Sequence, residues 1–287
     1  AEAVVLELAY EVVEDERMIR EGIIRQLAWG SLGIDCVRAA ENGEAALALC
    51  EDTGGALDIS VYSVLRAWGF TAGEYRVPSD SELEALLESV DYRQIGFDTM
   101  TGEVTVPAGF QLDLGSVAKG YAADQITALL RGSGVTSALL DLGGNIQAIG
   151  LKPDGAPWRV AVRDPAGQGY LGILEVTDSA VITSGGYERY FVDEEGNLWW
   201  HILDPATGYP AKSGLTSVTV IGKSGVTCDG LSTALFVMGR EKAEEYWREH
   251  RDFELVLLTE DGQLFITPGI SDSFTSAEGM RVEVIAG

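Results

Sequence analysis

The sequence predicts an α+β protein with a largely antiparallel sheet core and flanking helices. Strand-like segments outnumber helical ones, and adjacent strands are joined by short turns. A length of 287 residues is enough to enclose a substantial core in one large domain or two modest ones. We therefore expect hairpins to account for most of the strand pairs.

The first 50 residues are the one stretch with an alternating strand and helix pattern. Its predicted elements are a short apolar strand, a helix through 25–27, a strand at 34–37 and an Ala-rich helix over 43–50. We expect this βαβα segment to be divergent and to pack on a main body formed by residues 51–287.

Residues 51–110 are rich in loops and contain one clear helix start. Ser79 and Glu82 have the spacing of a capping box, in which each side chain bonds the other residue's backbone N–H. They predict a helix over 80–89. A short hairpin is expected to turn at Gly102.

Hairpins and three helices fill the rest of the chain. The predicted strands are 138–142, 145–149, 158–163, 171–177, 180–184, 187–192, 198–203, 215–221, 254–259 and 263–267. The predicted helices are 116–130, about 229–238, and 240–248. Gly132 is expected to close the first of these helices, and Gly143 and Gly144 to form the turn of the first hairpin.

The chain is strongly acidic, with a formal net charge of −25 and a pI of about 4.3. Nucleic acid is therefore a poor partner, because phosphate backbones need a basic surface. Three cysteines without CxxC spacing support neither a zinc site nor a disulfide framework. No apolar run is long enough to span a membrane, and no signal peptide opens the chain, although a removed leader or a lipid tether can precede Ala1.

His201 is one of two histidines and begins the segment HILDPATGYP (201–210). The turn that follows it carries the Asp204 carboxylate and the Thr207 hydroxyl. Imidazole is the side chain best suited to proton transfer near neutral pH, so His201 is the candidate general base. The alternative is a hairpin in which the histidine only fills a strand end. The other histidine, His250, lies in a charged helix end, where we expect it to be solvated.

Asp229 and Thr233 form a second candidate pair. We expect Asp229 at or near the N-cap of its helix, which places Thr233, four residues on, above it on the same face. A carboxylate and a hydroxyl that point together suit a hard cation such as Mg²⁺, with waters and substrate phosphates as its other ligands. The alternative is a capping Asp with a Thr on the buried face.

Three further segments are rich in small residues. In DLGSVAKGYAAD (113–124), a strand end and a Gly-Ser turn lead into a helix start, whose free N–H groups suit a phosphate with Lys119 beside them. The other two are the turns at Gly143-Gly144 and at Ser184-Gly185. Each of these turns is equally compatible with a simple hairpin.

Five segments in succession resemble the ApbE family of flavin transferases, Mg²⁺-dependent enzymes that move FMN from FAD onto a Thr or Ser of a target protein. They are LDLGSVAKGYAAD (112–124), LLDLGGNIQAIG (139–150), ITSGGYERYF (182–191), HILDPATGYP (201–210) and TCDGLSTALFVMG (227–239). With the looser Trp68-Gly69-Phe70 element, the resemblance covers about residues 51–270. It implies a T-fold-like architecture.

The resemblance implies a role for each matching residue. Mg²⁺ would be bound by Asp229, Thr233 and the carbonyl of Ala118, and would straddle the FAD pyrophosphate. His201, Asp204 and Thr207 would lie at the reacting phosphate, with His201 taking the proton of the incoming hydroxyl. The residues that would line the FAD site are Lys119, Gly120, Asp124, Gly143, Gly144, Ser184, Gly185 and Trp68.

The chain departs from the family pattern in three places. Ser116 replaces a usual Gly, Gly230 replaces a usual Ala, and the family's opening Met-Gly-Thr strand is not recognisable. Residues 11–47 instead resemble the first half of a response-regulator receiver domain. The phosphoacceptor Asp of a receiver has no counterpart in 59–63, so we expect no phosphorelay activity.

Three functions remain open at this point. The first is transfer of FMN from FAD to an acceptor flavoprotein of the FMN-binding-domain type, such as a redox-pump subunit, with release of AMP. The second is hydrolysis of FAD to FMN and AMP at the same site, and the third is FAD binding without catalysis. The resemblance also implies an extracytoplasmic location, in the periplasm or on the outer face of the cell membrane.

Overall fold

The computed structural model describes residues 4–7, 39–98, 100, 103–167 and 169–287. The strands are β1 (Val4–Glu7), β2 (Gly96–Phe97), β3 (Val104–Thr105), β4 (Ala138–Leu142), β5 (Asn145–Ile149), β6 (Trp158–Arg163), β7 (Tyr170–Val176), β8 (Ala180–Gly185), β9 (Tyr190–Val192), β10 (Leu198–Trp200), β11 (Leu215–Gly222), β12 (Glu254–Thr259), β13 (Leu264–Ile266), β14 (Phe274–Ser276) and β15 (Val282–Val284). The helices are α1 (Ala39–Asp52), α2 (Tyr62–Trp68), α3 (Asp80–Leu87), α4 (Ala118–Gly132), α5 (Gly225–Met238) and α6 (Arg240–His250).

An eight-stranded sheet forms the centre of the fold, in the order β1-β4-β5-β8-β11-β12-β13-β15. Only the pairs β1–β4 and β13–β15 are parallel. All other neighbours in this sheet are antiparallel. The predicted α+β class with a largely antiparallel sheet is confirmed.

Each face of the central sheet carries its own core. One face packs against α1, α5 and α6, where Val218 and Leu255 of the sheet meet Leu235 and Trp247 of the helices. The other face packs against a three-stranded sheet of order β14-β7-β6, through residues such as Leu174. Burial of apolar surface on both faces is the main stabilising contribution to this layered arrangement.

A third, smaller core joins α2 and α3 to the β9–β10 hairpin. Trp68 and Leu83 from the helices are fully buried there, and Phe191 and Trp199 from the hairpin pack against them. The segment after β10 returns through a bridge between Leu203 and Pro210. This core therefore fixes the position of the segment that begins at His201.

Several predicted elements are correct within two or three residues. The β4–β5 hairpin has the predicted bounds, and α3 begins where the capping box places it, because Ser79 Oγ accepts a hydrogen bond from the Glu82 N–H at 3.3 Å. β9 and β10 are shorter than expected. The Ala-rich helix extends to Ala39–Asp52, so it crosses the proposed boundary at residue 50.

One helix was not predicted, and the start of another was predicted wrongly. The unpredicted helix is α2, in the loop-rich stretch 51–110. The helix α5 begins at Gly225, with Ser224 as its N-cap, so Asp229 lies in its second turn and not at its start. The helix predicted through 25–27 and the strand at 34–37 lie outside the described residues. None of the helices in the described ranges has the length and apolar character needed to cross a membrane.

Candidate active site

The site is organised by a close crossing of α4 and α5. A Cβ on Gly120 would lie 2.1 Å from the carbonyl oxygen of Gly225, and a Cβ on Gly225 would lie 2.5 Å from that of Gly120. Neither position tolerates a side chain without a backbone shift. Because both residues are glycine, the two backbones touch, and the first turn of α4 reaches the buried face of α5.

Asp229 lies at this crossing and is only 5% exposed. Its Oδ2 accepts a hydrogen bond from the Gly120 N–H at 2.8 Å. Burial raises the pKa of the Asp229 carboxyl, and the Lys119 charge and the Gly120 N–H only partly offset this effect. The carboxylate therefore lacks full compensation for its charge, which a cation would supply.

Hydroxyl groups connect Asp229 to β8. Ser232 Oγ donates to the Asp229 carbonyl at 2.8 Å, and Ser184 Oγ lies 2.7 Å from Ser232 Oγ. Since the one hydroxyl hydrogen of Ser232 is already used, Ser184 is the donor to Ser232. Thr233 Oγ1, 3.2 Å from Ser184 Oγ, then donates to Ser184 and keeps its lone pairs available for a cation.

Asn145 is a residue of this site that the sequence reasoning did not select. It is 2% exposed at the start of β5, and it lowers the pKa of the Asp229 carboxyl. A buried side-chain amide is normally hydrogen-bonded, and the Asn145 amide acts on the Asp229 carboxyl, so it helps to hold that group in its charged form. The signal in the sequence was an Asn directly after the Gly143-Gly144 turn.

His201 is held by the carbonyl of Arg189. The His201 backbone N–H donates to this oxygen at 3.1 Å, and Nδ1 lies 3.2 Å from it. A carbonyl can only accept, so Nδ1 carries the proton and Nε2 presents a lone pair. Burial, together with the smaller effects of the Arg189 and Lys119 charges, lowers the pKa of the His201 imidazole to about 3. The residue keeps intermediate solvent exposure, so the neutral ring is enclosed but accessible.

Lys119 acts electrostatically on both His201 and Asp229. It is exposed in the first turn of α4, and its positive charge acts on both the Asp229 carboxyl and the His201 imidazole. The structure therefore brings together the base, the cation and the carboxylate predicted from separate segments. A phosphate placed between them would meet a positive charge and a helix N-terminus.

The side chains of Asp204 and Thr207 stabilise the turn that follows His201. Asp204 Oδ1 accepts from the Ala206 N–H at 2.9 Å, and Thr207 Oγ1 accepts from the Tyr209 N–H at 3.3 Å. The Gly208 N–H also donates to the Asp204 carbonyl at 2.8 Å. These contacts are those of a compact turn, and the part of both residues at the reacting phosphate stays a prediction.

Trp68 was predicted to line the FAD site, but the structure buries it in the small core. It is 0% exposed, and its Nε1–H donates to the carbonyl of Gly208 at 2.8 Å. Its ring packs against Trp199, with centroids 5.0 Å apart. Trp68 therefore supports the turn after His201 from the side of the small core. Its side chain has no exposed surface for a ligand to contact.

Asp124 forms hydrogen bonds to the start of α5. Its Oδ1 accepts from the Gly225 N–H at 2.7 Å, and its Oδ2 accepts from the Val226 N–H at 3.0 Å. Both carboxylate oxygens therefore cap the N-terminus of α5, where a negative charge is favourable. The residue shapes the site through the position of α5, and its direct contact with FAD stays a prediction.

The remaining predicted residues lie in tight local structure. Gly143 and Gly144 have φ values of 63° and 90°, and the Gly144 N–H donates to Asp141 Oδ1 at 2.8 Å. The Tyr187 ring covers Gly185, since a Cβ there would lie 2.2 Å from it. Ala118 is the exposed first residue of α4. Direct roles for these residues in binding FAD or metal stay predictions.

Comparison with known proteins agrees with the resemblance to the ApbE family. The ApbE family profile matches residues 38–257, which is more than half of the chain. The chain belongs to the ApbE family. The crystal structure of the ApbE protein from Thermotoga maritima superposes with a TM-score of 0.78 at 31% identity, covering 92% of this chain and 93% of that one. Apo flavinyl transferase ApbE from Pseudomonas stutzeri gives 0.69 at 33% identity, covering 82% and 74%.

Two curated relatives are named FAD:protein FMN transferase. The relative from Treponema pallidum is 36% identical over 245 residues, covering 80% of this chain and 67% of its own length. The relative from Vibrio cholerae is 37% identical over 196 residues, covering 66% of this chain and 58% of its own length. This ApbE-family chain thus spans about six-tenths to two-thirds of these relatives.

Proposed function

We propose that this protein transfers FMN from FAD to a Thr or Ser hydroxyl of an acceptor flavoprotein and releases AMP. The observation that carries the proposal is that the Lys119 charge, at the α4–α5 crossing that holds Asp229, also acts on the neutral His201 imidazole. Phosphoryl transfer asks a protein chiefly for positioning and charge neutralisation, and this set of groups supplies both. The names of the relatives support the same activity.

Mg²⁺ fits the donor set of this site. The part of the chain that the structure describes contains no group of three or more His, Cys, Asp or Glu residues arranged for a metal. A resident ion would therefore depend on one carboxylate, from Asp229, and on the Thr233 hydroxyl and the Ala118 carbonyl. Mg²⁺ often binds with few protein ligands and completes its shell with water and phosphate oxygens. When bound, it would neutralise charge on the FAD pyrophosphate.

His201 Nε2 has the protonation state that a general base needs. With Nδ1–H held by the Arg189 carbonyl, the free lone pair takes the proton of the acceptor hydroxyl as its oxygen attacks the FMN phosphorus. The bond from that phosphorus to the AMP oxygen breaks, and AMP leaves with the electron pair. Lys119 offsets charge on the phosphates throughout.

The acceptor class and the location extend this proposal. An acceptor of the FMN-binding-domain type, a position outside the cytoplasmic membrane and a lipid tether ahead of Ala1 are supported by the family resemblance alone. Fractionation of cells that express the complete protein tests the location, because an extracytoplasmic protein is accessible to protease in intact spheroplasts.

A labelling assay tests the central activity. The protein is incubated with FAD, Mg²⁺ and a Thr-bearing FMN-binding domain, and covalent flavin is detected by fluorescence in a denaturing gel. We expect labelling by the wild type, loss of labelling in His201→Ala, and retention in the control His250→Ala. Undiminished labelling by His201→Ala contradicts the assigned base. AMP release without any acceptor, at the rate seen with acceptor, indicates hydrolysis instead of transfer.

A further inference from the structure

A chain of three hydroxyl groups joins α5 to β8. Ser232 Oγ donates to the Asp229 carbonyl at 2.8 Å, Ser184 Oγ lies 2.7 Å from Ser232 Oγ, and Thr233 Oγ1 lies 3.2 Å from Ser184 Oγ. Each hydroxyl has one hydrogen and a carbonyl can only accept, so donation runs from Thr233 through Ser184 and Ser232 to Asp229. The hydroxyl chain therefore begins at the side chain of one predicted Mg²⁺ ligand and ends on the backbone of the other.

Ser184 presents its hydroxyl from the middle of the central sheet. β8 lies between β5 and β11, and Ser184 pairs with Val218 of β11. Val218 is fully buried in the core shared with the helices, so Ser184, beside it on the same face, is directed toward α5. The preceding residue, Thr183, faces the other side of the sheet, where its Oγ1 lies 2.8 Å from Thr219 Oγ1. The hydroxyl of Ser184 is thus held by a rigid element.

The hydroxyl chain fixes the orientation of the Thr233 side chain. In a helix, a threonine hydroxyl commonly bonds the carbonyl of the residue four positions earlier, which here is Asp229. Ser232 already donates to that carbonyl, and Thr233 is directed to Ser184 instead. This donation leaves the lone pairs of Thr233 Oγ1 available for a cation. A ligand that is already held in place loses less conformational freedom when it binds.

We propose that Ser184 and Ser232 are positioning residues for the Mg²⁺ site, which orient Thr233 without contacting the ion. This inference rests on the proposed Mg²⁺-dependent transfer of FMN. It gives Ser184 a role different from the FAD contact that the family resemblance implies. Without the Ser184 hydroxyl, Thr233 is free to rotate. Without the Ser232 hydroxyl, Ser184 can donate to Thr233 and compete with the ion for its lone pairs.

Binding of FAD over a series of Mg²⁺ concentrations tests the proposal. Titration calorimetry gives the Kd for FAD in EDTA and at each Mg²⁺ concentration, and hence the concentration that produces half of the full Mg²⁺ effect. We expect this concentration to rise about tenfold in Ser184→Ala and in Ser232→Ala, with the full effect regained at saturating Mg²⁺. The Kd for FAD in EDTA should not change. In the labelling assay, the KM for Mg²⁺ should rise by the same factor, with kcat unchanged.

Two further variants control for loss of packing. Ser184→Thr keeps the hydroxyl and should respond to Mg²⁺ as the wild type does. Thr183→Val removes the hydroxyl contact with Thr219 on the opposite face of the same strand. It should lower Tm without changing the Mg²⁺ concentration for half effect. Thermal unfolding in EDTA confirms that each variant is folded before its binding is compared.

Other outcomes overturn the proposal in distinguishable ways. An unchanged response to Mg²⁺ in Ser184→Ala shows that the hydroxyl only packs α5 on the sheet. A change in Ser184→Ala with none in Ser232→Ala makes Ser184 a ligand of the ion, and weaker FAD binding in EDTA makes it an FAD contact. A wild type whose FAD affinity ignores Mg²⁺ refutes the inference, while its labelling of an acceptor still upholds transfer. A normal Mg²⁺ response without labelling of any acceptor refutes the proposed function and supports the positioning roles.

Discussion

Asp124 and Asp229 lie on facing helices, and each accepts hydrogen bonds from the first turn of the other's helix. Asp124 on α4 binds the N–H groups of Gly225 and Val226 at the start of α5. Asp229 on α5 binds the N–H of Gly120 near the start of α4 at 2.8 Å. The two carboxylates differ in burial and surroundings, and this difference separates a structural role from a functional one.

Replacing each carboxylate with an amide is expected to lower stability at Asp124 but not at Asp229. Asp124→Asn weakens both N-terminal contacts of α5 and should cost about 1 kcal/mol, lowering Tm by about 2–4 °C. Asp229→Asn keeps an oxygen for the Gly120 N–H and removes a carboxyl whose pKa is raised by burial, so the Tm of the metal-free protein should not fall. Calorimetry at pH 7.5 in EDTA measures both. Equal losses of Tm in the two variants would show that Asp229, like Asp124, serves only to cap the start of the facing helix.

Gly120 should be intolerant of any side chain. Gly120→Ala places a Cβ 2.1 Å from the Gly225 carbonyl oxygen, so the helices must separate at a cost of about 1–3 kcal/mol. Separation also moves Asp229 away from α4, and FAD turnover should fall with stability. Gly132→Ala is the control, since its Cβ meets nothing within 4 Å in the same helix. Urea unfolding that gives both variants the same free energy would contradict the close crossing.

The two histidines should titrate very differently. The pKa of His201 is lowered to about 3 by burial. For His250, partial burial opposes protonation, but the Tyr246 carbonyl and the Asp52 carboxylate outweigh it and raise the pKa. In ¹⁵N NMR from pH 8 to 5, the His201 ring signals should stay constant, and those of His250 should shift with a midpoint above 6.5. A His201 midpoint near 6.5 would contradict the enclosed, neutral base.

The same shifts predict how stability depends on pH. The folded-state pKa of His201 lies below its unfolded value of about 6.5, so its contribution is fully present above pH 6.5 and is lost as pH falls toward 3. His250 has a raised folded pKa, so its contribution is present below pH 6.5 and is lost as pH rises through that pKa. Unfolding of His201→Gln should therefore depend less on pH between 6.5 and 5 than unfolding of the wild type.

Trp68 should affect catalysis without binding FAD. Trp68→Phe removes the hydrogen bond to the Gly208 carbonyl, and leaving that buried oxygen unpaired costs about 1–3 kcal/mol. We expect a lower kcat and an unchanged Kd for FAD, because the turn after His201 loosens. Trp158→Phe is the control: it also loses an Nε1–H bond to a carbonyl, in the other core. A rise in the Kd for FAD in Trp68→Phe, as large as the fall in kcat, would contradict this expectation. It would support the predicted contact between Trp68 and FAD.

Much of the fold could be predicted from the sequence because the residues that form a turn or a helix cap are usually close together in the chain. The β4–β5 hairpin and the start of α3 follow from Gly143-Gly144 and from the Ser79 capping box, which act within a few residues. The start of α5 was misplaced although its N-cap, Ser224, is local and bonds the Thr227 N–H; its second cap, Asp124, is 101 residues away from Gly225 in sequence. No local pattern reveals such a contact.

The candidate site divides in the same way. His201, Lys119, Asp229 and Thr233 were predicted because their side chains suit proton transfer, phosphate and metal binding wherever the chain places them. Trp68 was assigned to the ligand because its bond to Gly208, 140 residues away, cannot be seen in sequence. Asn145 was passed over because its burial beside Asp229 depends on the pairing of β5 within the sheet.

The effect of Mg²⁺ on FAD binding tests the central claim most directly. Titration calorimetry with FAD, in EDTA and in excess Mg²⁺, is carried out on the wild type and on Asp229→Asn. We predict that Mg²⁺ lowers the Kd for FAD at least about tenfold in the wild type, equivalent to about 1.4 kcal/mol, and has no effect on the variant. An equal Mg²⁺ effect in both proteins would contradict the assignment of Asp229 as the carboxylate that holds the ion against the pyrophosphate.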